Sequence, residues 1–293
     1  MKITEFKTRE GICAVHIEEL SEPFSIFKSF DCGQCFRFDP VSLFGNKTEV
    51  GGVAFSKYVV FAQNHEGEII IYNSTLDDYE KIWRSYLCLD DSYTERNRAI
   101  LSACGDGHMK KAVAYGEGIK ILRQDAWECL ISFIISQNNN IPRIKKIICA
   151  ICEKYGEKIS FLNGEYYTFP TVDRLMCVTE DDFFALKTGF RAKYLASAVK
   201  CVTEGIVSLD NVRALPFDEA VAHLSLIKGV GLKVASCILL FGFGKTEAFP
   251  IDVHIRRTLD TYFPSGIDLI SLGKNAGIAQ QYLFYYEKYK QSP

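Results

Sequence analysis

Residues 224–237 read Leu-Ser-Leu-Ile-Lys-Gly-Val-Gly-Leu-Lys-Val-Ala-Ser-Cys, and this stretch decides the fold. The apolar spacing on either side predicts two amphipathic helices, over residues 217–227 and 232–241. Between them, Lys-Gly-Val-Gly predicts a turn of four residues that joins the two helices. The stretch therefore predicts an αα-hairpin, at about residues 217–241.

The turn of this hairpin is suited to a phosphate group. Gly229 and Gly231 permit a positive φ and let a ligand approach the backbone closely. The N–H groups that begin the second helix carry partial positive charge and suit a DNA phosphate. An ordinary αα-hairpin uses the same turn residues, so the turn alone leaves DNA binding and a purely structural hairpin both open.

Two residues near the hairpin carry chemistry. Lys233 falls in the first turn of the second helix, where the helix dipole and burial disfavour the ammonium and favour the neutral amine that a nucleophile needs. Asp252, within Phe-Pro-Ile-Asp-Val-His, is predicted to be the N-cap of a helix over 252–262. A surface lysine and a plain capping aspartate would show the same residues one at a time, so each has a structural explanation as well.

Composition limits the class of protein. The chain has 293 residues, which suggests two domains at about 100–200 residues each. Hydrophobic residues make up 48% and charged residues 24%, which excludes disorder and low complexity. No apolar run reaches the ~18–20 residues that span a bilayer, and acidic residues interrupt the N-terminal segment where a signal peptide is apolar. We expect a soluble globular protein with no membrane partner.

Net charge hides an asymmetry along the chain. The formal charge is −2, but residues 1–120 hold 14 basic and 18 acidic side chains, whereas residues 121–293 hold 20 and 18. A polyanionic partner would therefore contact the second part of the chain.

The first quarter of the chain has a strand-like pattern. The β-branched and aromatic runs 53–61 and 68–72 predict strands, and residues 64–67 predict the turn between them. Strands joined by short polar turns indicate an antiparallel sheet. A helix is predicted next, from apolar residues at helical spacing: Leu76, Tyr79, Trp83, Tyr86 and Leu87.

From about residue 91 the pattern is helical to the end. Asp125 predicts the start of one helix, Pro142 the start of the next and Gly156 its end. Further helices are predicted over 181–187, 191–204 and 274–288. The fold class is α+β, with an N-terminal antiparallel β-sheet domain over 1–118 followed by an all-α helix-hairpin-helix part over 119–293.

The cysteines indicate a reducing compartment rather than a disulfide scaffold. There are 11, an odd number, in a chain too large to need disulfides. Cys32 and Cys35 form a C-x-x-C pair, but a short strand is predicted after them where a redox motif has a helix. Cys149 and Cys152 fall on the apolar face of a helix, which predicts buried packing. No cluster near the C-terminus suits an iron–sulfur site, and no side-chain metal site is expected.

The hairpin together with Pro-Ile-Asp-Val-His resembles the helix-hairpin-helix DNA glycosylase superfamily, and specifically its 8-oxoguanine glycosylase/lyase branch. The resemblance covers nearly the whole chain, in the family's order. Its further blocks are Asp-Cys-Gly-Gln-Cys-Phe-Arg (31–37), Arg-Gln-Asp and Glu-Cys-Leu-Ile-Ser-Phe-Ile (123–134), Asn-Asn-Asn-Ile-Pro-Arg (138–143), Gly-Phe-Arg-Ala-Lys-Tyr (189–194) and Ala-Gly-Ile-Ala-Gln to Leu-Phe (276–284).

The resemblance implies a bifunctional mechanism. Lys233 would attack the sugar C1′ as the oxidised base leaves, and the resulting Schiff base would permit β-elimination of the strand. Asp252 would support the deprotonated lysine and stabilise positive charge on the sugar. Monofunctional members of the superfamily keep the aspartate and lack the lysine. No cofactor is implied, although related hairpins can hold a monovalent cation through backbone carbonyls.

The resemblance also implies a pocket for a base flipped out of the helix, to which the N-terminal domain contributes. The carbonyl of Gly33 would accept the hydrogen that 8-oxoguanine, unlike guanine, carries on N7. Phe284 and Cys237 would sandwich the base, Gln280 would bond its Watson–Crick edge, and Pro250 would lie beside the pocket. Without the resemblance, Phe284 is a core aromatic residue and Gln280 a residue of a helix surface.

A second set of residues is implied to hold the DNA around the lesion. Asn138, Arg143 and Arg191 would bind the cytosine left behind, and Phe190 would fill the gap as a wedge. His254 would contact a phosphate or a helix end, beside the backbone contacts of the hairpin glycines.

The sequence departs from the family pattern at four positions, Phe190, Phe38, Cys35 and Pro142, and these leave the selectivity for the opposite base open. The expected partner is double-stranded DNA with 8-oxoguanine opposite cytosine, bound by a monomer. The expected location is the cytoplasm at the nucleoid in a bacterium or archaeon, or the nucleus in a eukaryote. Two alternatives remain: a glycosylase for another damaged purine, and a non-catalytic helix-hairpin-helix module that anchors DNA.

Overall fold

The structure is a computed structural model that describes residues 1–290. A six-stranded sheet has the spatial order β1-β2-β6-β5-β4-β3, and all neighbouring strands are antiparallel. Its strands are β1 (Lys2–Lys7), β2 (Cys13–Glu18), β3 (Phe38–Pro40), β4 (Thr48–Ala54), β5 (Lys57–Gln63) and β6 (Ile69–Tyr72). A separate hairpin pairs β7 (Lys158–Phe161) with β8 (Gly164–Tyr167).

The helices form the rest of the described chain. The first three are α1 (Ile26–Asp31), α2 (Leu76–Asp78) and α3 (Arg84–Tyr86), the last two joined by the π-helical turn Tyr79–Trp83. Those that follow are α4 (Tyr93–Ala103), α5 (Gly107–Gly116), α6 (Ala126–Ser136), α7 (Ile141–Tyr155), α8 (Val172–Leu175), α9 (Glu180–Ala185), α10 (Ala192–Thr203), α11 (Leu209–Ala214), α12 (Phe217–Leu224), α13 (Leu232–Phe243), α14 (Val253–Tyr262), α15 (Leu269–Leu272) and α16 (Ala276–Tyr289), with 3₁₀ turns at Gly189–Arg191 and Gly273–Asn275.

The α+β class is confirmed, as is the turn over 64–67, where Gly67 has a φ of +87°. The prediction of one continuous strand over 53–61 is wrong. Phe55 and Ser56 have φ values of +48° and +62° and turn the chain between β4 and β5. Non-glycine residues rarely adopt this conformation, so the sequence carries no local signal for it. Packing of Phe55 edge-on against Trp83 and Tyr86 accompanies the turn.

The predicted helix ends agree with the structure where a side chain within one turn caps the helix. Asp125 and Asn140 cap α6 and α7 through their own side chains, and α7 ends before Gly156. The first hairpin helix is shorter than predicted, because α12 ends at Leu224 and the turn occupies 225–231. The division of the chain at residue 118 stays a prediction.

An all-α region after residue 91 is wrong, because the β7–β8 hairpin interrupts it. The hairpin covers the second face of the N-terminal sheet: Tyr58 of β5 stacks on Tyr166, with ring centroids 3.9 Å apart, and on Phe161 at 4.9 Å. Residues 58–62 of β5 are all buried, since α1 and the helix over 76–86 pack on the first face. Burial on both faces explains the unbroken apolar run of this strand.

The cysteines are free thiols across the described residues. Cys32 and Cys35 are buried, and burial raises the pKa of Cys32 to about 12 and that of Cys35 further. Cys152 is buried as predicted, but the prediction for Cys149 is wrong: it is exposed, and its thiol lies 3.3 Å from a carboxylate oxygen of Glu153. Within residues 1–290 no cluster of metal-ligating side chains occurs, and no helix is long and apolar enough to cross a membrane.

Lys120 is an ionisable side chain inside the core. It is 1% exposed, and its Nζ has no hydrogen-bond partner among residues 1–290. The ammonium lies 4.0 Å from the centre of the Tyr93 ring, a cation–π contact. Burial lowers the pKa of Lys120 to about 8, and the Glu22 carboxylate partly opposes the shift.

We predict that Lys120→Met stabilises the protein at neutral pH. The pKa of Lys120 is about 8 in the folded protein and about 10.4 in an unfolded chain. The penalty for a buried charge is therefore complete below pH 8 and disappears as the pH rises towards 10.4. In urea unfolding, the stability advantage of the variant should be roughly 2 kcal/mol smaller at pH 10 than at pH 7.

Lys111→Met is the matched control, since Lys111 lies exposed on α5. Its unfolding free energy relative to the parent protein should not change with pH. The same flat profile for Lys120→Met would contradict a buried, depressed lysine.

Candidate active site

A cleft of about 570 Å³ opens between the loop after α1 and four segments of the helical part: the α6–α7 connection with its flanking turns, α13, the start of α14, and α16. We call it the central cleft. Gly33 and Phe284, which are 251 positions apart in the sequence, both line it. It is lined by eight of the predicted site residues: Gly33, Lys233, Cys237, Pro250, Asp252, His254, Gln280 and Phe284.

Helix α13 places Lys233 and Cys237 on one wall of the central cleft, because residues four apart share a helix face. Lys233 is half-buried in the first turn, and Cys237 is 5% exposed. Burial raises the pKa of Cys237 to about 11, although the neighbouring Lys233 opposes the shift. Cys237 therefore presents a neutral thiol at physiological pH, a suitable surface for an apolar or aromatic face.

Asp252 is the N-cap of α14, as predicted. Its Oδ1 accepts hydrogen bonds from the backbone N–H groups of His254 and Ile255, at 3.0 and 2.8 Å. These bonds hold the carboxylate at the same cleft as Lys233, without an ion pair between the two in the described chain. A negative charge fixed in this way can stabilise positive charge that develops nearby.

Helix α16 contributes Gln280 and Phe284, again four residues apart. Gln280 is 5% exposed, and its Oε1 has no hydrogen-bond partner among residues 1–290. Leaving a buried acceptor unpaired costs about 1–3 kcal/mol, so this oxygen indicates that the cleft takes a ligand with a hydrogen-bond donor. The alternative that Gln280 lies on a helix surface is wrong.

Gly33 lies opposite Phe284 across a narrow gap. Its φ is +79°, and an added Cβ would lie 3.4 Å from the Phe284 ring. A side chain there would be strained and would fill the gap. The ring of Phe284 also contacts His254 edge-on, with centroids 6.2 Å apart.

Sequence reasoning assigned no separate role to Gln34 and Gln281. Gln34 is completely buried and bonds the backbone of α1 and of the segment before α6. Gln281 is 2% exposed and donates to the Cys32 carbonyl. The available signal was the presence of polar amides inside apolar runs, which indicates buried hydrogen bonds.

The residues predicted to hold the DNA around the lesion form a second cluster beside the central cleft. Arg191 is 2% exposed, and its guanidinium donates to the carbonyls of Gln137, Asn138 and Thr188, using four of its five N–H groups. These bonds hold the loop in which Asn138 has a φ of +46°. The predicted contact of Arg191 with cytosine stays a prediction.

Phe190 and Arg143 complete this second cluster. The Phe190 ring is 48% exposed and lies 4.4 Å from the Arg191 guanidinium carbon. Arg143 is exposed and donates to the Lys187 carbonyl at 3.4 Å. An exposed aromatic ring beside a cation suits insertion into a base stack.

The two glycines of the hairpin turn do different things. Gly229 has a φ of +85°, and an added Cβ would lie 2.4 Å from the Tyr194 ring. Gly231 has a φ of −97° and does not use the positive φ that glycine permits. Nothing lies within 4 Å of an added Cβ at Gly231, which leaves the N-terminus of α13 open to a phosphate.

Comparison with solved structures identifies proteins with the same fold. An 8-oxoguanine glycosylase/lyase of Clostridium acetobutylicum, solved with double-stranded DNA containing cytosine opposite 8-oxoguanine, superposes with a TM-score of 0.88 and 37% identity, over 99% of this chain and 98% of that one. A 3-methyladenine DNA glycosylase of Archaeoglobus fulgidus shares the fold, with a TM-score of 0.71 and 19% identity over 95% and 99% of the two chains.

Sequence comparison agrees. Residues 16–130 match the 8-oxoguanine DNA glycosylase N-terminal domain, and residues 131–266 match the HhH-GPD superfamily of base excision DNA repair proteins. Fold and site thus define a helix-hairpin-helix base excision repair protein. The chain belongs to the 8-oxoguanine DNA glycosylase/lyase family.

Curated relatives align over part of their length. An N-glycosylase/DNA lyase of Arabidopsis thaliana is 38% identical over 52% of this chain and 45% of its own. A probable N-glycosylase/DNA lyase of Methanothermobacter thermautotrophicus is 31% identical over 54% and 57%. The chain thus spans about half the length of the curated relatives it matches.

We predict that alanine at Gly229 mainly lowers stability, whereas alanine at Gly231 mainly weakens DNA binding. Gly229→Ala should lower the free energy of unfolding by about 2 kcal/mol or more, because of its positive φ and the contact with Tyr194. Gly231→Ala should cost about 1 kcal/mol or less but weaken duplex binding, because the methyl group occupies the open helix end. Urea unfolding and fluorescence anisotropy measure the two effects, and equal destabilisation by both variants would contradict the assignment.

We predict that Gln280→Met separates stability from activity. Removing an unpaired buried acceptor should stabilise the free protein by about 1 kcal/mol, whereas excision of a damaged base should become slower by about tenfold or more. Gln63→Met is the control, because the Gln63 amide donates to the Phe24 carbonyl at 2.8 Å far from the cleft. It should destabilise the protein and leave excision unchanged; destabilisation by Gln280→Met would argue against an unpaired oxygen.

Proposed function

We propose that the protein excises 8-oxoguanine from double-stranded DNA and then cleaves the strand, as a bifunctional glycosylase and abasic-site lyase. One observation carries the proposal: Lys233 and Asp252 line the same cleft as Gly33 and Gln280, whose buried Oε1 lacks a partner. A nucleophile, a fixed negative charge and an unsatisfied acceptor around one cavity are what excision of a flipped base requires.

Recognition of the lesion uses three walls of the cleft. The Gly33 carbonyl accepts the N7 hydrogen that distinguishes 8-oxoguanine from guanine. Phe284 and the neutral Cys237 thiol cover the two faces of the base, and Gln280 bonds its Watson–Crick edge. One such hydrogen bond contributes only about 1–3 kcal/mol, so rejection of guanine also depends on the cost of bringing an unmatched base into the cleft.

Chemistry then follows from the side-chain amine of Lys233. Its Nζ bonds to C1′, and the bond between C1′ and the base breaks with its electron pair on the leaving base, which takes up a proton. Opening of the sugar ring gives a Schiff base between Lys233 and C1′. Loss of a C2′ proton then expels the 3′ phosphate by β-elimination. Asp252 stabilises positive charge on the sugar and on the Schiff base.

Duplex binding relies on backbone groups more than on net charge. The open N-terminus of α13 at Gly231 takes a phosphate, with the exposed Lys228 beside it and His254 at the mouth of the cleft. Binding to phosphates is salt-dependent and independent of sequence. A protein of formal charge −2 can bind DNA in this way with few cations.

The opposite base is held by the second cluster. We propose that Asn138 and Arg143 contact the cytosine and that Arg191 both supports their loop and offers its remaining N–H group. Phe190 fills the space left by the flipped nucleotide. The related Clostridium enzyme was solved with cytosine opposite the lesion, which supports the same pairing for this chain.

We propose that the reaction needs no organic cofactor and no side-chain metal site, because Lys233 supplies the nucleophile. A monovalent cation can bind at carbonyl oxygens of the hairpin turn, where the Ile227 carbonyl accepts the Val230 N–H at 3.0 Å and keeps a second lone pair. The protein should act as a monomer, since one hairpin serves one lesion, at the nucleoid of a prokaryote or in a nucleus.

Borohydride trapping tests the proposal. The parent protein should form a covalent adduct with a duplex containing 8-oxoguanine opposite cytosine, and none with an unmodified duplex, because only the lesion yields a Schiff base. Lys233→Gln should form no adduct, and Asp252→Asn should form it at least about a hundredfold more slowly. Lys111→Gln is the control: it removes an exposed lysine on α5, outside the hairpin and the cleft, and should keep the adduct.

Other outcomes assign other functions. Base release without an adduct would indicate a monofunctional glycosylase and remove the role of Lys233. An adduct with an alkylated or ring-opened purine instead of 8-oxoguanine would move the substrate to another damaged base. Duplex binding without release or adduct would leave a non-catalytic module that anchors DNA.

A further inference from the structure

Gln281 follows Gln280 on α16 and lies against the loop that carries Gly33. It is 2% exposed, and its Nε2 donates to the carbonyl of Cys32 at 2.7 Å. That carbonyl belongs to the peptide group directly before Gly33. Helix α16 thus holds the lesion-recognition loop through an amide 249 residues away in the sequence.

The loop that carries Gly33 needs the hydrogen bond from Gln281 to hold the peptide group before Gly33 in place. Gly33 has no side chain and a φ of +79°, a conformation that glycine leaves easily. Its other neighbour is held from the opposite direction, because the Gln34 amide donates to the carbonyls of Ser29 and Lys120, both at 2.8 Å, and accepts from the Leu122 N–H at 2.9 Å. Gly33 therefore lies between two anchored residues, one tied to α16 and the other to the segment before α6.

We propose that Gln281 is a positioning residue for lesion recognition, which fixes the Gly33 carbonyl relative to Gln280 and Phe284 on the same helix. The inference rests on the proposed excision of 8-oxoguanine. One helix then sets the spacing between the acceptor for N7–H, the contact with the Watson–Crick edge and the ring that covers the base. Without the bond, the peptide group before Gly33 is free to rotate and the carbonyl loses its alignment.

Replacing Gln281 should slow only the steps in which the protein contacts the damaged base. A preformed abasic site has no base, so strand cleavage there needs Lys233 and the hairpin but not the Gly33 carbonyl. Gln281→Met keeps the length of the side chain and removes both its donor and its acceptor. It should slow single-turnover excision of 8-oxoguanine about tenfold, the value of one hydrogen bond, and change cleavage of abasic DNA by less than about twofold.

Gln63→Met is the control, since it too removes a side-chain amide that donates to backbone carbonyls, those of Phe24 at 2.8 Å and Gly67 at 3.0 Å, in the sheet and outside the lining of the cleft. It should cause at least as large a loss of stability in urea and leave both reactions unchanged. Slower excision in this control would mean that general destabilisation, not positioning, explains Gln281→Met.

A double-variant cycle shows whether Gln281 acts through Gly33. Gly33→Ala should slow excision by itself, because its φ is strained and its Cβ lies 3.4 Å from Phe284, while cleavage of abasic DNA reports that it is folded. If Gln281 acts through Gly33, the double variant excises no more slowly than Gly33→Ala alone. Additive losses would overturn the proposal and indicate direct contact of Gln281 with the base.

Equal slowing of both reactions by Gln281→Met would also overturn it, as would unchanged excision. These outcomes can be distinguished from failure of the proposed function, because in that case the parent protein itself would not excise 8-oxoguanine.

Discussion

The site depends on the hydrogen bonds made by the buried side-chain amide of Gln34. Its side chain is completely buried, and a buried amide must find partners for its hydrogen-bonding groups or destabilise the fold. The side chain donates to the backbone carbonyls of Ser29 in α1 and of Lys120 before α6, and it accepts from the Leu122 N–H. The backbone carbonyl of Gln34 accepts from the Gln124 side chain. The sheet-bearing part and the helical part are thereby fixed at one relative position, with Gly33 at their junction.

Under the proposed function, that junction lets a small loop discriminate a base. Gln34 on one side and Gln281 on the other leave Gly33 as the unanchored residue between them, opposite Phe284. One carbonyl can discriminate between bases only if its position is fixed before the base binds. If the carbonyl had to be ordered during binding, the entropy cost of ordering it would cancel the free energy gained from the hydrogen bond. The Oε1 atom of Gln280 is likewise in position before a ligand binds. It is buried without a hydrogen-bond partner, which destabilises the free protein until a ligand donates a hydrogen bond to it.

Much of the fold was predictable, because its signals are local. Helix caps depend on residues within one turn, so Asp125 and Asp252 could be assigned from sequence, and periodicity placed α13 and α16. The turn at Phe55 and Ser56 could not, because both residues adopt a φ that only their surroundings stabilise. Exposure of Cys149 was missed for a related reason: a helix pattern does not say where the face it packs against ends.

The sequence by itself determined the residue types of the site: an amine and a thiol four residues apart, an amide and an aromatic ring four residues apart, and a capping carboxylate. Spacing along a helix decides that each pair shares a face, because the helix repeat is a property of the backbone. Only the tertiary structure decided that these faces meet in one cleft with Gly33, that Arg191 is occupied by backbone carbonyls, and that Lys120 is buried. Those features depend on contacts between segments distant in sequence, where burial and hydrogen-bond saturation decide the outcome rather than local periodicity.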